Sequence, residues 1–447
     1  MNILHLIDHA LPYQDGYTAR THYILRFQRE MGYGATAVTL PGVQSRLLGK
    51  IDLSPTAEEC IDGVPYYHFL ESQQTIVRLA KRLFSLRFLQ IFKTRASAIY
   101  HVPDSESRGI LAPLIAWHRQ RAIAQYYLPI IRSLPSLDLI HAHWPPLNAH
   151  YALTLSREFH VPVVYEVRSL FEDSLVAVGE TRVNSTVYLQ RREADTNAAQ
   201  KADRLITISE RLKQDFVERG IPESKISVVP NGVDSRAFIP VPRDKELVER
   251  FQLNDRVTIG YIGSVTRYEG LEYLLRAFPA IRALIPNVVG MIVGDGPALI
   301  TLQELARDLG IMPDIHFVGK VPLSAVQRYY SLIDVFVVPR IDERVTQLTT
   351  PLKPYEAMAM GKALLVSNVG GLTEIIRHNE TGIIFEAENV NDLVQQAVLL
   401  LQDEGLRRQL GQRAREWIVE ERDWRVVIDR YRSIYTETLA TYRSSNQ

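Results

Sequence analysis

Lys353 and Glu356 lie three residues apart in the run Q-L-T-T-P-L-K-P-Y-E-A-M-A-M-G at 347–361. Pro351 and Pro354 mark a helix start, where the first backbone donors have no intrahelical partner to lose. Gly361 is placed to end that helix. Lys353 and Glu356 then share one side of its first turn. A helix N-terminus binds phosphate through its spare N–H groups, and the lysine adds a point charge. A carboxylate accepts both hydroxyl hydrogens of a diol such as ribose. The run therefore reads as a holder of nucleotide phosphates and ribose. The competing reading is a surface helix with a chance ion pair.

Other candidates are weaker. V-G-D-G-P at 293–297 puts Gly294 and Gly296 in a strand-to-helix loop, where a ligand can approach the backbone. A plain tight turn explains it as well. G-S-V-T-R-Y-E-G at 263–270 has the same context, with Arg267 either reaching a phosphate or solvated. His141 and His143 end a strand on one shared face. A metal pair is conceivable there, but no third ligand is obvious. A polar contact to substrate and a satisfied structural histidine both remain open. No Asp-x-Asp occurs in the chain, so a carboxylate-held Mg²⁺ on a diphosphate has no obvious site. Helix ends and cations must then meet phosphate charge, which Lys353 offers.

The elements that position these residues read as α/β. Strands are expected at 2–7, 35–40, 137–141, 162–167, 204–208 and 226–229, then at 257–262, 288–293, 315–318, 335–338, 363–366 and 382–385. Helical patterns fall between most of them, and the apolar runs suit parallel sheets covered on both faces. Two doubly wound, Rossmann-like domains follow, each binding at the carboxyl ends of its strands. The first spans 1–235, beginning with a glycine-containing loop at Gly16, and the second spans 236–420. A last helical segment, 421–447, is expected to pack back across the junction.

The chain has 447 residues, enough for two or three domains. Apolar residues at 46%, charged residues at 23% and zero formal net charge suit a globular protein without wholesale nucleic-acid binding. A single cysteine, Cys60, excludes an intrachain disulfide framework and fits a reducing compartment. No run is apolar enough to span a bilayer, and the first residues do not read as a secretory signal. A cytoplasmic location is expected. Residues 72–133 hold ten Lys or Arg against Asp104 and Glu106. Their part at 76–95 mixes cations with large apolar residues at helical spacing. It suits an anionic membrane surface or a helix packed on the domain with its cations in water.

Together these features resemble the retaining family-4 glycosyltransferases of GT-B fold, whose two domains face an interdomain cleft. The resemblance covers nearly the whole chain through Gly16, H-A-H at 141–143, V-P-N-G-V-D at 229–234, V-G-D-G-P at 293–297, E-A-M-A-M-G-K at 356–362 and V-G-G-L-T-E-I at 369–375. I-L-H-L-I-D-H-A-L-P at 3–12, Y-E-V-R-S at 165–169, R-Y-Y-S-L-I-D at 328–334 and T-P-L-K-P at 350–354 resemble the exosortase-A-associated branch, linked to bacterial exopolysaccharide assembly.

The resemblance implies a sugar moved from a nucleotide-diphosphate donor to a lipid-linked or saccharide acceptor hydroxyl, with retention and with no metal or other cofactor. It implies that Gly16 presents its N–H to the diphosphate and that His143 sits beside the sugar. Glu356 would hold the ribose, with Gly294 and Gly296 by the nucleotide. Two departures stand out. The glutamate of the family motif is replaced by Leu348, or in the closer branch by Gln347, which loses the charge that meets the donor sugar. Ser264 and Glu269 replace phosphate-binding cations, leaving Lys353 and Arg267 to supply positive charge. His143, Gln347 and Lys353 are thus the catalytic candidates. A catalytically weak sugar-nucleotide-binding partner and a sugar-nucleotide epimerase of the same plan are the alternatives.

Overall fold

The computed structural model describes residues 1–13, 15–39, 57–68 and 123–445. The basic stretch 76–95 lies outside the described residues. The first sheet contains β1 (Asn2–Ile7), β2 (Gly34–Thr39), β3 (Ala57–Ile61), β4 (Val64–His68), β5 (Leu139–His143), β6 (Val163–Val167), β7 (Arg204–Thr207) and β8 (Ile226–Val228). Its order is β3-β4-β2-β1-β5-β6-β7-β8. All pairs are parallel except the β3–β4 hairpin. That hairpin is not among the expected strands, although Asp62-Gly63 marks its turn. Both residues have positive φ, 50° and 77°, as a tight type I′ turn requires.

The second sheet contains β9 (Val257–Ile262), β10 (Val288–Val293), β11 (Ile315–Gly319), β12 (Val335–Val338), β13 (Ala363–Ser367) and β14 (Ile383–Phe385). Its order is β11-β10-β9-β12-β13-β14, and every pair is parallel. Successive residues feed opposite faces. Phe336 and Val338 join one apolar cluster with Met291 and Leu364, while Val335 and Val337 join the other with Ile259 and Leu365. A sheet buried on both sides leaves no polar face, which is why its strands read as continuous apolar runs.

Apart from the β3–β4 hairpin, each sheet reverses its strand order once, between β1 and β5 in the first and between β9 and β12 in the second. Loops leaving the carboxyl ends at such a reversal diverge and leave a crevice for ligand. The strand carrying the histidines runs two residues later than expected, so His141 and His143 lie within β5.

The chain divides into two compact units, Met1–Glu172 with Val183–Val229 and Ile428–Gln447, and Asp173–Arg182 with Pro230–Val427. The two units meet in the chain at Val229 and Pro230, near the expected 235/236. Val233 N donates to Arg422 O and Trp424 N to Val233 O, each at 3.0 Å. Ser235 Oγ donates to Asp423 Oδ2 at 2.5 Å. The 229–234 turn is thereby tied to residues that precede the last helix. Residues 173–182 belong with the second unit, where Arg344 Nε meets Asp173 at 3.2 Å. In the helix Trp424–Ser445, the residues from Ile428 onward belong to the first unit.

Candidate functional site

In the second unit, the helix Lys353–Ala359 has Pro354 in its first turn. It closes with Gly361 N donating to Met358 O at 2.9 Å and Lys362 N to Ala357 O at 3.0 Å. This paired closure needs the left-handed Gly361, φ 66°. The start and stop are those expected from the sequence.

Lys353 and Glu356 are both half-buried. Glu356 Oε2 accepts from Tyr330 Oη at 2.8 Å. Burial raises its pKa against the opposing pull of Tyr330 and Lys353. Lys353 lies against the loop after β9, where a Cβ on Gly263 would stand 2.6 Å from its Cε. That loop and the loop after β10 are packed backbone to backbone. A Cβ on Gly294 would meet Gly263 O at 1.8 Å, and one on Gly296 would meet Val265 O at 2.3 Å. Gly294 and Gly296 therefore have a packing reason for lacking side chains. Arg267 stands apart from this group, donating to Ala177 O at 2.7 Å with Glu343 3.6 Å away.

Glu269, the acid where a cation was expected, is buried and paired with Arg340 at 2.7 and 3.2 Å. Burial pushes its pKa up, but Arg340 outweighs that and holds it below the usual range. The pair is neutral overall, so Lys353 remains the charge beside Gly263. Gln347 is engaged at both ends. Its Oε1 accepts from Gly370 N at 2.7 Å and its Nε2 donates to Asp342 Oδ1 at 2.6 Å.

In the first unit, Gly16 opens the helix Gly16–Glu30 and is exposed. Asp15 already caps that helix, accepting from Thr18 N at 2.8 Å while Thr18 Oγ1 accepts from Asp15 N at 3.0 Å. A carboxylate thus sits at the helix end to which the resemblance assigned the diphosphate. His9 bridges Asp8 at 2.7 Å and Asp15 at 2.9 Å. Burial lowers its pKa, yet the two carboxylates prevail and raise it to about 9.

His143 is fully buried, with both ring nitrogens held by protein. Arg168 Nη2 bonds its Nδ1. Arginine only donates, so the His143 proton is on Nε2, which donates to His5 Nδ1 at 2.9 Å. His5 Nε2–H then donates to Gln28 Oε1 at 2.9 Å, and Gln28 Nε2 donates to Tyr435 Oη at 2.9 Å. Tyr435 donates to His141 Nδ1 at 2.8 Å, leaving His141 Nε2–H 3.3 Å from Glu166 Oε2. Arg168 Nε closes the circuit on Glu166 Oε1 at 2.7 Å. Arg20 at 3.0 Å and Tyr431 at 2.6 Å complete the shell of Glu166. Burial, first of all, depresses the pKa of all three histidines, which are neutral.

His5 supplies the third ligand that the sequence does not reveal: His5, His141 and His143 have ring nitrogens within 4.8 Å of one another. All of those nitrogens but His141 Nε2 are hydrogen-bonded within the circuit, and a guanidinium adjoins His143, which disfavours a dication there. Only the register pairing His5 with His141 on neighbouring strands brings the third histidine in. Glu166 and Arg168 lie in Y-E-V-R-S and Tyr330 in R-Y-Y-S-L-I-D, motifs that carry no chemical role when read alone.

Residues 243–417 match the family described as glycosyl transferases group 1, and residues 74–236 match glycosyltransferase family 4. Each of these matches covers less than half of the chain, one in each of its two halves. The chain is 29% identical over 220 residues to the GDP-mannose-dependent alpha-(1-6)-phosphatidylinositol monomannoside mannosyltransferase of Mycobacterium tuberculosis, covering 48% of this chain and 57% of that protein. The chain therefore spans little more than half the length of that relative. It is 25% identical over 308 residues to N-acetyl-alpha-D-glucosaminyl L-malate synthase of Bacillus anthracis, covering 68% of this chain and 76% of the other. Two solved structures share the fold. Sucrose-phosphate synthase from Thermosynechococcus elongatus has TM-score 0.70 at 19% identity, covering 99% of this chain and 100% of its own. Anabaena HepE in complex with UDP-glucose has TM-score 0.69 at 18% identity, with the same coverage.

Proposed function

We propose that this chain moves a sugar from a nucleotide-diphosphate sugar to an acceptor hydroxyl, keeping the anomeric configuration, in bacterial exopolysaccharide or other surface-glycan assembly. The observation that carries the proposal is the grouping at the β9/β12 reversal. There Lys353 lies on Gly263, and Glu356 stands one helical turn away with one oxygen steadied by Tyr330. A diphosphate at Gly263 would meet the ammonium, and a ribose would meet the remaining oxygen of Glu356. The UDP-glucose complex of HepE and the GDP-mannose named for the mycobacterial relative support a nucleotide-sugar donor.

In this reading the leaving phosphate oxygen takes the acceptor proton. Lys353 stabilises the charge that grows on the diphosphate as the glycosidic bond breaks. His143, neutral and held at both nitrogens, keeps the polar core fixed and transfers no proton. The acceptor is lipid-linked or a saccharide, and residues 76–95 would bring the protein to the inner membrane face. A panel of radiolabelled sugar nucleotides with and without membrane extract tests the proposal. Transfer to acceptor supports it, and donor conversion without acceptor would replace it with an epimerase. Binding without transfer would favour the second reading, a catalytically weak binding partner, for which Gln347 with both ends occupied is the supporting observation.

A further inference from the structure

The charge missing at residue 347 has a substitute nearby. Asp342 lies four residues beyond β12, which borders the order reversal of the second sheet. Its side chain is exposed, and Oδ1 receives Gln347 Nε2 at 2.6 Å. The amide orientation is fixed by its other end. A backbone N–H only donates, so Gly370 N, at 2.7 Å, must face the carbonyl oxygen of Gln347. The NH₂ is thereby forced toward Asp342. Among the described residues no hydrogen bond or ion pair engages Asp342 Oδ2.

The neighbouring acids are committed elsewhere. Glu343 caps the helix Arg344–Leu348, and Glu388 accepts from Tyr273 Oη at 2.9 Å and from Asp342 N at 3.3 Å. A glutamate at 347 would bring two carboxylates to hydrogen-bond distance, where they must share a proton or part. A carboxylate at 342 and an amide at 347 are therefore one device.

We infer that Asp342 is the carboxylate that meets the hydroxyls of the donor sugar and that Gln347 is its positioning residue. The inference rests on the donor site proposed above. It makes the sugar, rather than the nucleotide, the part of the donor that Asp342 recognises.

The test compares UDP-glucose with UDP, and GDP-mannose with GDP, by calorimetry on the full chain. The variants are Asp342→Asn, Gln347→Glu and the double variant, each checked for an unchanged melting temperature. Asp342→Asn should weaken the sugar nucleotide by about 10- to 100-fold while leaving the diphosphate within about twofold. Gln347→Glu should weaken it too, less so in mild acid, where the two carboxylates share a proton. Adding Asp342→Asn to Gln347→Glu should recover affinity, because one negative charge is again faced by one amide. Equal effects on sugar nucleotide and diphosphate, no effect of Asp342→Asn, or a double variant no better than Gln347→Glu would each overturn the inference. Lys353→Met separates the two levels. If it abolishes diphosphate binding while Asp342→Asn does nothing, the donor site stands and this inference falls. If the wild-type chain binds none of the four probes, both fall.

Discussion

At the scale of single residues, Lys353 and Glu356 are expected to fail differently when changed. The diphosphate gains charge in the transition state and the ribose does not, so Lys353 acts mainly on kcat and Glu356 on the donor KM. Losing a charged partner in a closed site costs about 2–4 kcal/mol. Lys353→Met should therefore lower kcat roughly 30- to 1000-fold, and Glu356→Gln should chiefly raise KM. Donor kinetics within about twofold of wild type in both would leave only a surface ion pair. Tyr330→Phe, which removes the hydroxyl that steadies Glu356 without touching donor, should raise KM more mildly.

His9 gives a pH dependence of stability. Its pKa, about 9 in the folded chain against 6.5 in the reference state, means that the folded state binds the proton more tightly. The contribution is complete below pH 6.5 and is lost as pH rises through about 9. His9→Gln should lower the melting temperature at pH 6 and make little difference by about pH 10. An equal deficit at both pH values would show that the imidazolium is not the cause.

At the scale of elements, the glycines separate two kinds of constraint. Gly361 is left-handed at a helix end with no close backbone neighbour, so Gly361→Ala should cost only about 1 kcal/mol. Gly294 faces Gly263 O, where a Cβ would stand at 1.8 Å from backbone that cannot swing aside. Gly294→Ala should cost about 1–3 kcal/mol and also disturb donor affinity, because Gly263 carries Lys353. Thermal melts with calorimetry distinguish the cases, and a Gly294→Ala protein with wild-type melting and binding would contradict the packing account. The same loops show why V-G-D-G-P is legible as a motif while its reason is not. The spacing marks a tight strand-to-helix turn, and the partner that forbids the side chains comes from another loop.

At the scale of the whole molecule, each unit has its own sheet with an order reversal among its parallel strands, and candidate chemistry lies near each reversal. Phosphate charge at the second one is proposed to be met by Lys353 without a metal. Transfer activity should accordingly survive EDTA, and a complete loss restored by Mg²⁺ or Mn²⁺ would count decisively against that view. No helix among the described residues is long and apolar enough to cross a membrane. Lipid contact is proposed for residues 76–95, so liposome co-sedimentation should require anionic lipid and weaken with salt. Equal binding to neutral vesicles would remove that segment's proposed role.

What the sequence alone determined is local or periodic. The strands of the second sheet are nearly continuous apolar runs, and three of the six, β9, β10 and β12, begin and end where expected. The helix at 353 is bounded by proline and glycine chemistry that acts within a few residues. The family resemblance likewise rests on motifs in order along the chain. What only the tertiary structure decided are pairings across long stretches of chain. Strand register brings His5 to His141, the last helix returns Tyr431 and Tyr435 to Glu166 and His141, and Arg340 neutralises Glu269. None of these has a periodicity to read, because a hydrogen bond or ion pair between distant residues is set by where the backbone carries them. Gln347 shows the limit most plainly. Its place in the family motif marks a lost charge, while only the fold shows its amide donating to the carboxylate of Asp342.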